Sequence, residues 1–363
     1  MKLKYLTFAV MAGAALVGCT KTEVNPVTGD TEVAIKFASP VNTKAQEIAG
    51  TVFSTTANFD VWGVKHSADY ASETTFESYI GNNGGTGVEC TYQGDTKNYW
   101  SPSVDYYWPK TGKLSFVALS PAGVTGAKFT AKTGIKIPEF SADATPADQV
   151  DLMFSDLSSN WTEEMFLKND DNDNDTKYKY KGVDLLFHHA LASIHFTFAI
   201  ANSNDGEIGI TVNSVKLKNV YNKGAFESSD ANPSVGSWTM APAATKTEFN
   251  VLTVPYTCTT TKEKGGSETL LLIPQELTAS VGTVLEINYT RKDLINGTPD
   301  FTETVEMDLW DCKDDDDNVI DSWKMGHRYT YNVMFKLNKI YFDPASDEWE
   351  DVAIALPKEV TLP

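Results

Sequence analysis

Apolar and polar side chains alternate over most of this chain, and the clearest run is residues 183–200, VDLLFHHALASIHFTFAI. Val183, Leu185, Phe187, His189 and Leu191 occupy odd positions, whereas Ile194, Phe196, Phe198 and Ile200 are even. A strand turns successive residues to opposite faces, so a change of parity needs one extra residue. The pattern predicts one long strand with a bulge or kink at Ala192-Ser193. A helix accounts for HHALAS alone, but not for the β-branched and aromatic run that follows.

Shorter runs flank this stretch. Before it, Val33, Ile35 and Phe37 alternate cleanly, and residues 59–64, 114–121, 135–138 and 151–155 read as further strands. No part of this first half carries a helical period beyond two turns. After it, residues 208–212 and 215–220 lead to a turn back at Gly224-Ala225-Phe226, and a buried strand over 269–275 is stopped by its proline. Residues 284–289, 305–310 and 329–337 alternate again. Between Ser155 and Gly182 the chain turns polar, centred on the acidic run 169–175, which marks a boundary loop. Short strands at turn-marked intervals, twice over, predict an all-β chain of two β-sandwiches, over 31–180 and 181–363.

The N-terminus does not follow this grammar. Lys2 and Lys4 precede an apolar run from Tyr5 to Val17, too short to span a bilayer, and then Gly18-Cys19. These are the features of a signal peptide over 1–18. Leu16-Val17-Gly18-Cys19 resembles the bacterial lipobox, in which the cysteine is acylated and becomes the mature N-terminus. The plainer reading is a secretory signal in which Cys19 is incidental. Residues 19–30 are polar, with Pro and Gly, and read as a tether. Cys90, Cys258 and Cys312 then remain, and no C-x-x-C spacing indicates a zinc ribbon or disulfide framework. Cys258 and Cys312 could pair; three unpaired thiols is the other reading.

With 363 residues the chain is long enough for two cores. Thirty Lys+Arg against 49 Asp+Glu give a net charge of −19, which argues against a nucleic-acid partner. Only two arginines occur, Arg291 and Arg328. Three of the five histidines cluster at His188, His189 and His195, but neighbours on a strand face opposite ways and no further zinc ligand is suitably spaced. Hydrogen-bonded strand histidines are expected, with no metal and no cofactor. The acidic runs 169–175 and 314–317 resemble calcium loops in composition. Counted from Asp171, however, Thr176 and Gly182 stand where an EF-hand needs Gly and Glu, so solvated loops are expected. No G-x-S-x-G elbow or Cys/His spacing suggests catalysis, and no enzyme is expected.

Several short motifs occur in a fixed order: Tyr107-Trp108-Pro109; Phe116, Ala118 and Ser120-Pro121; Phe187, His189-Ala190-Leu191 and Ile194; Leu271-Leu272-Ile273-Pro274-Gln275; and Trp323, Gly326, Tyr329 and Tyr331. In this order they resemble the fimbrillin family (type V pilins) of Bacteroidetes, over nearly the whole chain. The resemblance implies two tandem transthyretin-like Greek-key β-sandwiches. It also implies an outer-membrane lipoprotein that is processed at the cell surface and polymerises with other pilin subunits into fimbriae for adhesion and biofilm formation. In that family a protease cuts after a basic residue in the loop following the first strand. Lys44-Ala45 stands at the corresponding place, with lysine where arginine is usual. Cutting there by a lysine-accepting protease is one expectation; an uncut, lipid-anchored subunit is the other.

The C-terminal segment 351–363 places Val352, Ile354, Leu356, Val360 and Leu362 on one parity. That row must be buried somewhere. It either folds back as an edge strand of its own second half, or enters the groove vacated by the first strand of the next subunit. A different overall reading is a non-polymerising surface lipoprotein that binds a glycan or a host protein through its aromatic side chains.

Overall fold

The chain changes sheets at Ala190-Leu191. In the computed structural model the strand Phe187–His189 pairs antiparallel with Met153–Ser155 in one sheet. Two residues later, Ala192–Ile200 pairs in another, antiparallel with Leu270–Leu272 and parallel with His327–Lys336. The shift in parity therefore marks a passage between sheets, where a bulge within one strand was expected. Ala190 and Leu191 are fully buried. Their carbonyls accept hydrogen bonds from the Trp238 indole N–H (2.7 Å) and the Gly326 amide (2.9 Å), so this buried crossing leaves neither acceptor unpaired.

The structure describes residues 32–38, 53–170, 182–229, 235–240, 246–313, 319–336, 339–348 and 358–361. From Val33 onward they belong to one compact unit. Among the described residues its regular elements are almost all strands. The polar stretch after Ser155 also holds the helix Glu163–Asp170, where a loop was expected. Thr162 caps it by accepting from the Met165 amide, Glu163 and Glu164 occupy its first turn, and Glu164 pairs with Lys168 one turn on. Phe166 is buried and anchors it, with its ring 5.2 Å from that of Trp108.

The ten-stranded sheet of the first half runs Val183–Asp184, Phe37–Ala38, Trp100–Pro102, Val88–Tyr92, Phe59–His66, Lys113–Ser120, Met153–Ser155, Phe187–His189, with Ser158–Trp161 and Glu77–Ile80 attached off this path. Its two end strands are separated in sequence by Leu185-Leu186 alone. One short stretch of chain thus ties both ends together, and the sheet is drawn round on itself about a core of Phe37, Phe53, Phe59, Trp100, Phe116 and Phe187. Curling the sheet in this way protects its ends from pairing with other chains.

In the second half, Ala192–Ile200 and His327–Lys336 lie in a five-stranded sheet extended by Lys339–Glu348 and Lys358–Thr361. Facing it is the sheet Lys246–Leu252, Ile208–Tyr221, Val284–Asp293, Phe301–Asp308, with Tyr256–Thr257 attached to Ile208–Tyr221. Their inward side chains, among them Phe196, Phe198, Phe249, Tyr289, Tyr331 and Phe335, form one core.

A third core lies between the halves. Residues 224–226, expected as a turn, belong to the strand Lys223–Ser228, which pairs with Gly134–Ser141 of the first half and Gly236–Met240 of the second. Phe226 is fully buried, 5.2 Å from the rings of both Phe154 and Trp238, in a cluster that also holds Trp62, Phe129 and Ile273. Replacing it by alanine leaves a cavity in packing shared by both halves. Phe226→Ala is expected to cost about 3–5 kcal/mol, read from urea unfolding as a lower midpoint of one cooperative transition. Two separate transitions in the unsubstituted chain would count against the shared core.

Candidate functional site

The first strand is held on both sides. On one side Ile35 donates its amide to Tyr106 O (2.8 Å) and Trp108 donates to Val33 O (3.0 Å), with Phe37 in register with Trp100. On the other, Val183 donates to Lys36 O (2.8 Å) and Leu185 to Ala38 O (3.0 Å), as parallel partners. Alternation sends Ile35 and Phe37 inward, both buried, and the Phe37 ring meets Phe116 edge-on at 5.3 Å and Phe59 at 6.3 Å. The outward Lys36 places its ammonium 4.8 Å from the Tyr99 ring centre. Burying the two inward side chains stabilises this seat by about 1.5–3 kcal/mol each, and each hydrogen bond adds about 1 kcal/mol.

Gly182 sets the closeness of the parallel side. Its φ of 138° is one that side chains disfavour, and a Cβ there would lie 2.7 Å from Lys36 O and from Phe37 C. Beyond the first strand the chain re-enters the same core at Phe53, which stacks on Phe187 at 4.8 Å and meets Trp100 edge-on at 5.7 Å. A break anywhere in 39–52 would therefore leave Phe53 anchored. Residues 33–38 would then be held by noncovalent contacts within the seat.

Of the residues singled out from sequence, Cys19, Lys44, Ala45, Val352, Ile354, Leu356 and Leu362 lie outside the described residues, as do the acidic residues 171–175 and 314–317. Val360 lies in Lys358–Thr361, which pairs antiparallel with Lys339–Glu348 at the edge of its own sheet, with Val360 opposite Ile340. The alternation of Val33, Ile35 and Phe37 was legible in advance. The roles of Phe53 and Gly182 were not, because only the pairing of distant segments reveals them.

The histidines each bond within the fold. His188 Nε2 lies 2.7 Å from Asp156, and His189 Nδ1 lies 2.8 Å from Asp151. His195 lies 2.8 Å from the Ser193 hydroxyl and 3.3 Å from that of Thr269. His66 lies 2.8 Å from the Ser115 hydroxyl. Ser115 and Ser193 are fully buried and offer no accessible hydroxyl; His66–Ser115 joins neighbouring strands, whereas Ser193 and His195 lie two apart on one strand. Burial, then Lys264 and Arg328, push His195 down to about 3. Cys90, Cys258 and Cys312 are buried thiols outside any disulfide, and burial raises Cys258 to about 12, well away from reactive thiolate chemistry.

The sheet of the first half thus seats its first strand between segments from elsewhere in the chain. Residues 43–349 match the family model described as fimbrillin-like. The chain belongs to the fimbrillin-like family. No curated protein matches it. Among solved structures, this fimbrillin-like chain is similar to a fimbrial protein from Bacteroides vulgatus, at 17% identity and a TM-score of 0.54, over 86% of this chain and 99% of that one. It is also similar to a candidate cell adhesion protein from Bacteroides uniformis, at 12% identity and a TM-score of 0.51, over 88% and 100%. At such identities the likeness is one of fold.

Two outcomes check these contacts. In Gly182→Ala the added Cβ pushes against the first strand, and the amides of Val183 and Leu185 are expected to exchange with deuterium faster while the second half is unaffected. Unchanged exchange there would remove Gly182 from this role. His195 is held neutral in the fold, whereas the unfolded chain protonates it near its ordinary 6.5. Its contribution to stability therefore falls as pH drops from about 6.5 to about 3. Measured stability of His195→Gln is expected to decline less steeply across that window than that of the unsubstituted protein.

Proposed function

We propose that this fimbrillin-like protein is a structural subunit of cell-surface fimbriae, serving adhesion and biofilm formation. In this reading its halves are two tandem transthyretin-like Greek-key sandwiches, and the chain reaches the outer membrane as a lipoprotein anchored through Cys19. A protease accepting lysine then cuts after Lys44, before Ala45, and the first strand leaves. The row Val352, Ile354, Leu356, Val360 and Leu362 of another subunit takes its place.

The observation that carries this reading is the seating of residues 33–38 between segments from elsewhere in the chain. Removing that strand would expose unpaired backbone groups on both neighbours and empty the places of Ile35 and Phe37. A replacement strand supplies main-chain hydrogen bonds and alternate apolar side chains, which is what the vacancy requires. Such a contact joins different surfaces of the two copies and does not close on itself, so repetition makes a filament.

Lys44→Ala is expected to block maturation, read by N-terminal sequencing of the surface form. The same N-terminus in this variant would rule out Lys44 as the processing site. Chains lacking residues 352–363 are expected to mature normally but to form no SDS-resistant ladders. Ladders that persist without this segment would show that it is not the donor.

A further inference from the structure

Two Asn-Gly dipeptides occur in the chain, Asn83-Gly84 and Asn296-Gly297. Such a pair carries its own chemistry. The main-chain nitrogen after an asparagine can close on the side-chain carbonyl carbon, and a glycine there leaves the approach unhindered because it has no Cβ. How readily the ring closes depends on how firmly the fold holds the two reacting groups.

At Asn83-Gly84 both are held. The Gly84 amide donates to Phe129 O (2.6 Å), and Asn83 Oδ1 accepts from the Ala131 amide (2.9 Å). The Asn83 amide donates to the Ser78 hydroxyl (2.9 Å), and Gly85 forms a β-bridge to the fully buried Phe129. Nucleophile and electrophile are thus tied to one neighbouring segment, and ring closure must first break bonds to it.

Asn296-Gly297 lies on the hairpin between Val284–Asp293 and Phe301–Asp308. Both residues are exposed, and so are Leu294, Ile295, Thr298 and Pro299 around them. Gly297 has a φ of 61°, with nothing within 4 Å of the place a Cβ would take. Among the described residues its amide donates no hydrogen bond, so the nucleophile is open to water. One carboxylate organises this turn. Asp293 Oδ1 accepts from the Ile295 and Asn296 amides (3.0 and 2.8 Å). Its Oδ2 accepts from the Asn296 side chain and the Thr298 hydroxyl (3.1 and 3.3 Å). These are bonds of an exposed turn, and water replaces them at little cost.

We infer that Asn296 is a site of spontaneous deamidation, and that its conversion releases the turn organised by Asp293. The Gly297 nitrogen loses its proton and bonds to Asn296 Cγ; the Cγ–Nδ2 bond breaks, and ammonia leaves carrying that proton. Water then opens the cyclic imide. Addition at Cγ yields aspartate, and addition at the main-chain carbonyl yields isoaspartate, whose main chain runs on through Cβ and Cγ. A water is consumed, an ammonia is released, and nothing is oxidised or reduced. The aspartate product puts a carboxylate where Nδ2 donated to Asp293, so attraction gives way to repulsion between like charges. Isoaspartate also lengthens the main chain between Asn296 and Thr298, which carries the Thr298 hydroxyl away from Asp293. The reaction needs only water, so its extent records the age of the molecule.

The full chain is aged in neutral buffer and sampled by peptide mass mapping, with isoaspartate detected by enzymatic methylation. The peptide holding Asn296 is expected to gain the mass difference between an acid and an amide. It does so at about tenfold or more the rate of the peptide holding Asn83, whose hydrogen bonds must open first. In urea, with the fold removed, the two rates are expected to converge. Hydrogen exchange at the Ile295 amide is expected to quicken as Asn296 converts, and to stay slow in Asn296→Gln, which closes its larger ring far less readily. Asn296 persisting as an amide, or converting no faster than Asn83, would overturn the site. A difference that survives in urea would overturn the fold as its cause. Conversion with unchanged exchange at Ile295 would overturn the release of the turn.

Discussion

Everything in the first half depends on the hydrogen bonds that residues 33–38 make to both sides. Val183–Asp184 and Phe187–His189 stand at opposite ends of the ten-stranded order yet are neighbours in sequence. A sheet drawn round in this way is continuous only if something fills the space between Val183–Asp184 and Trp100–Pro102, and Phe37–Ala38 does so. The same six residues supply Ile35 and Phe37 to the core and satisfy backbone groups on two segments that cannot satisfy each other. The segment is small, but its removal is felt around the whole ring.

The second dependency is the crossing at Ala190-Leu191. A chain passing from one sheet to another through an apolar interior must leave its peptide groups paired, and Trp238 and Gly326 accept that role. Trp238 belongs to the strand beside Lys223–Ser228, which also pairs with Gly134–Ser141. Hydrogen bonding and packing therefore tie the two halves together at the same place, around Phe226.

Strand type was legible where alternation was clean, as in Val284–Asp293, and in the apolar runs Phe59–His66 and Lys113–Ser120, which are buried on both faces. The pattern also located the change of phase after Leu191, although not its cause, because a bulge and a change of sheet leave the same trace in parity. Glu163–Asp170 was obscured by polarity, since its sequence, EEMFLKND, shows almost no periodic apolar stripe. Lys223–Ser228 was hidden by its glycine and alanine, which read locally as a turn but fit a strand closely covered by Trp238 and Met240. Of the seat, the inserted face was visible in Val33, Ile35 and Phe37. Its walls come from residues separated from it by dozens of positions, and no local pattern reports such pairings.

The parallel pairing of the central strand has a mechanical meaning. Ser193 through Ile200 lie in register with Arg328 through Phe335 without interruption. A pull along these strands loads their hydrogen bonds sideways and all at once, whereas a pull across them opens one pair at a time. Tension carried down the long axis would meet the first kind of resistance, which grows with the number of pairs sharing the load more than with the strength of any one of them.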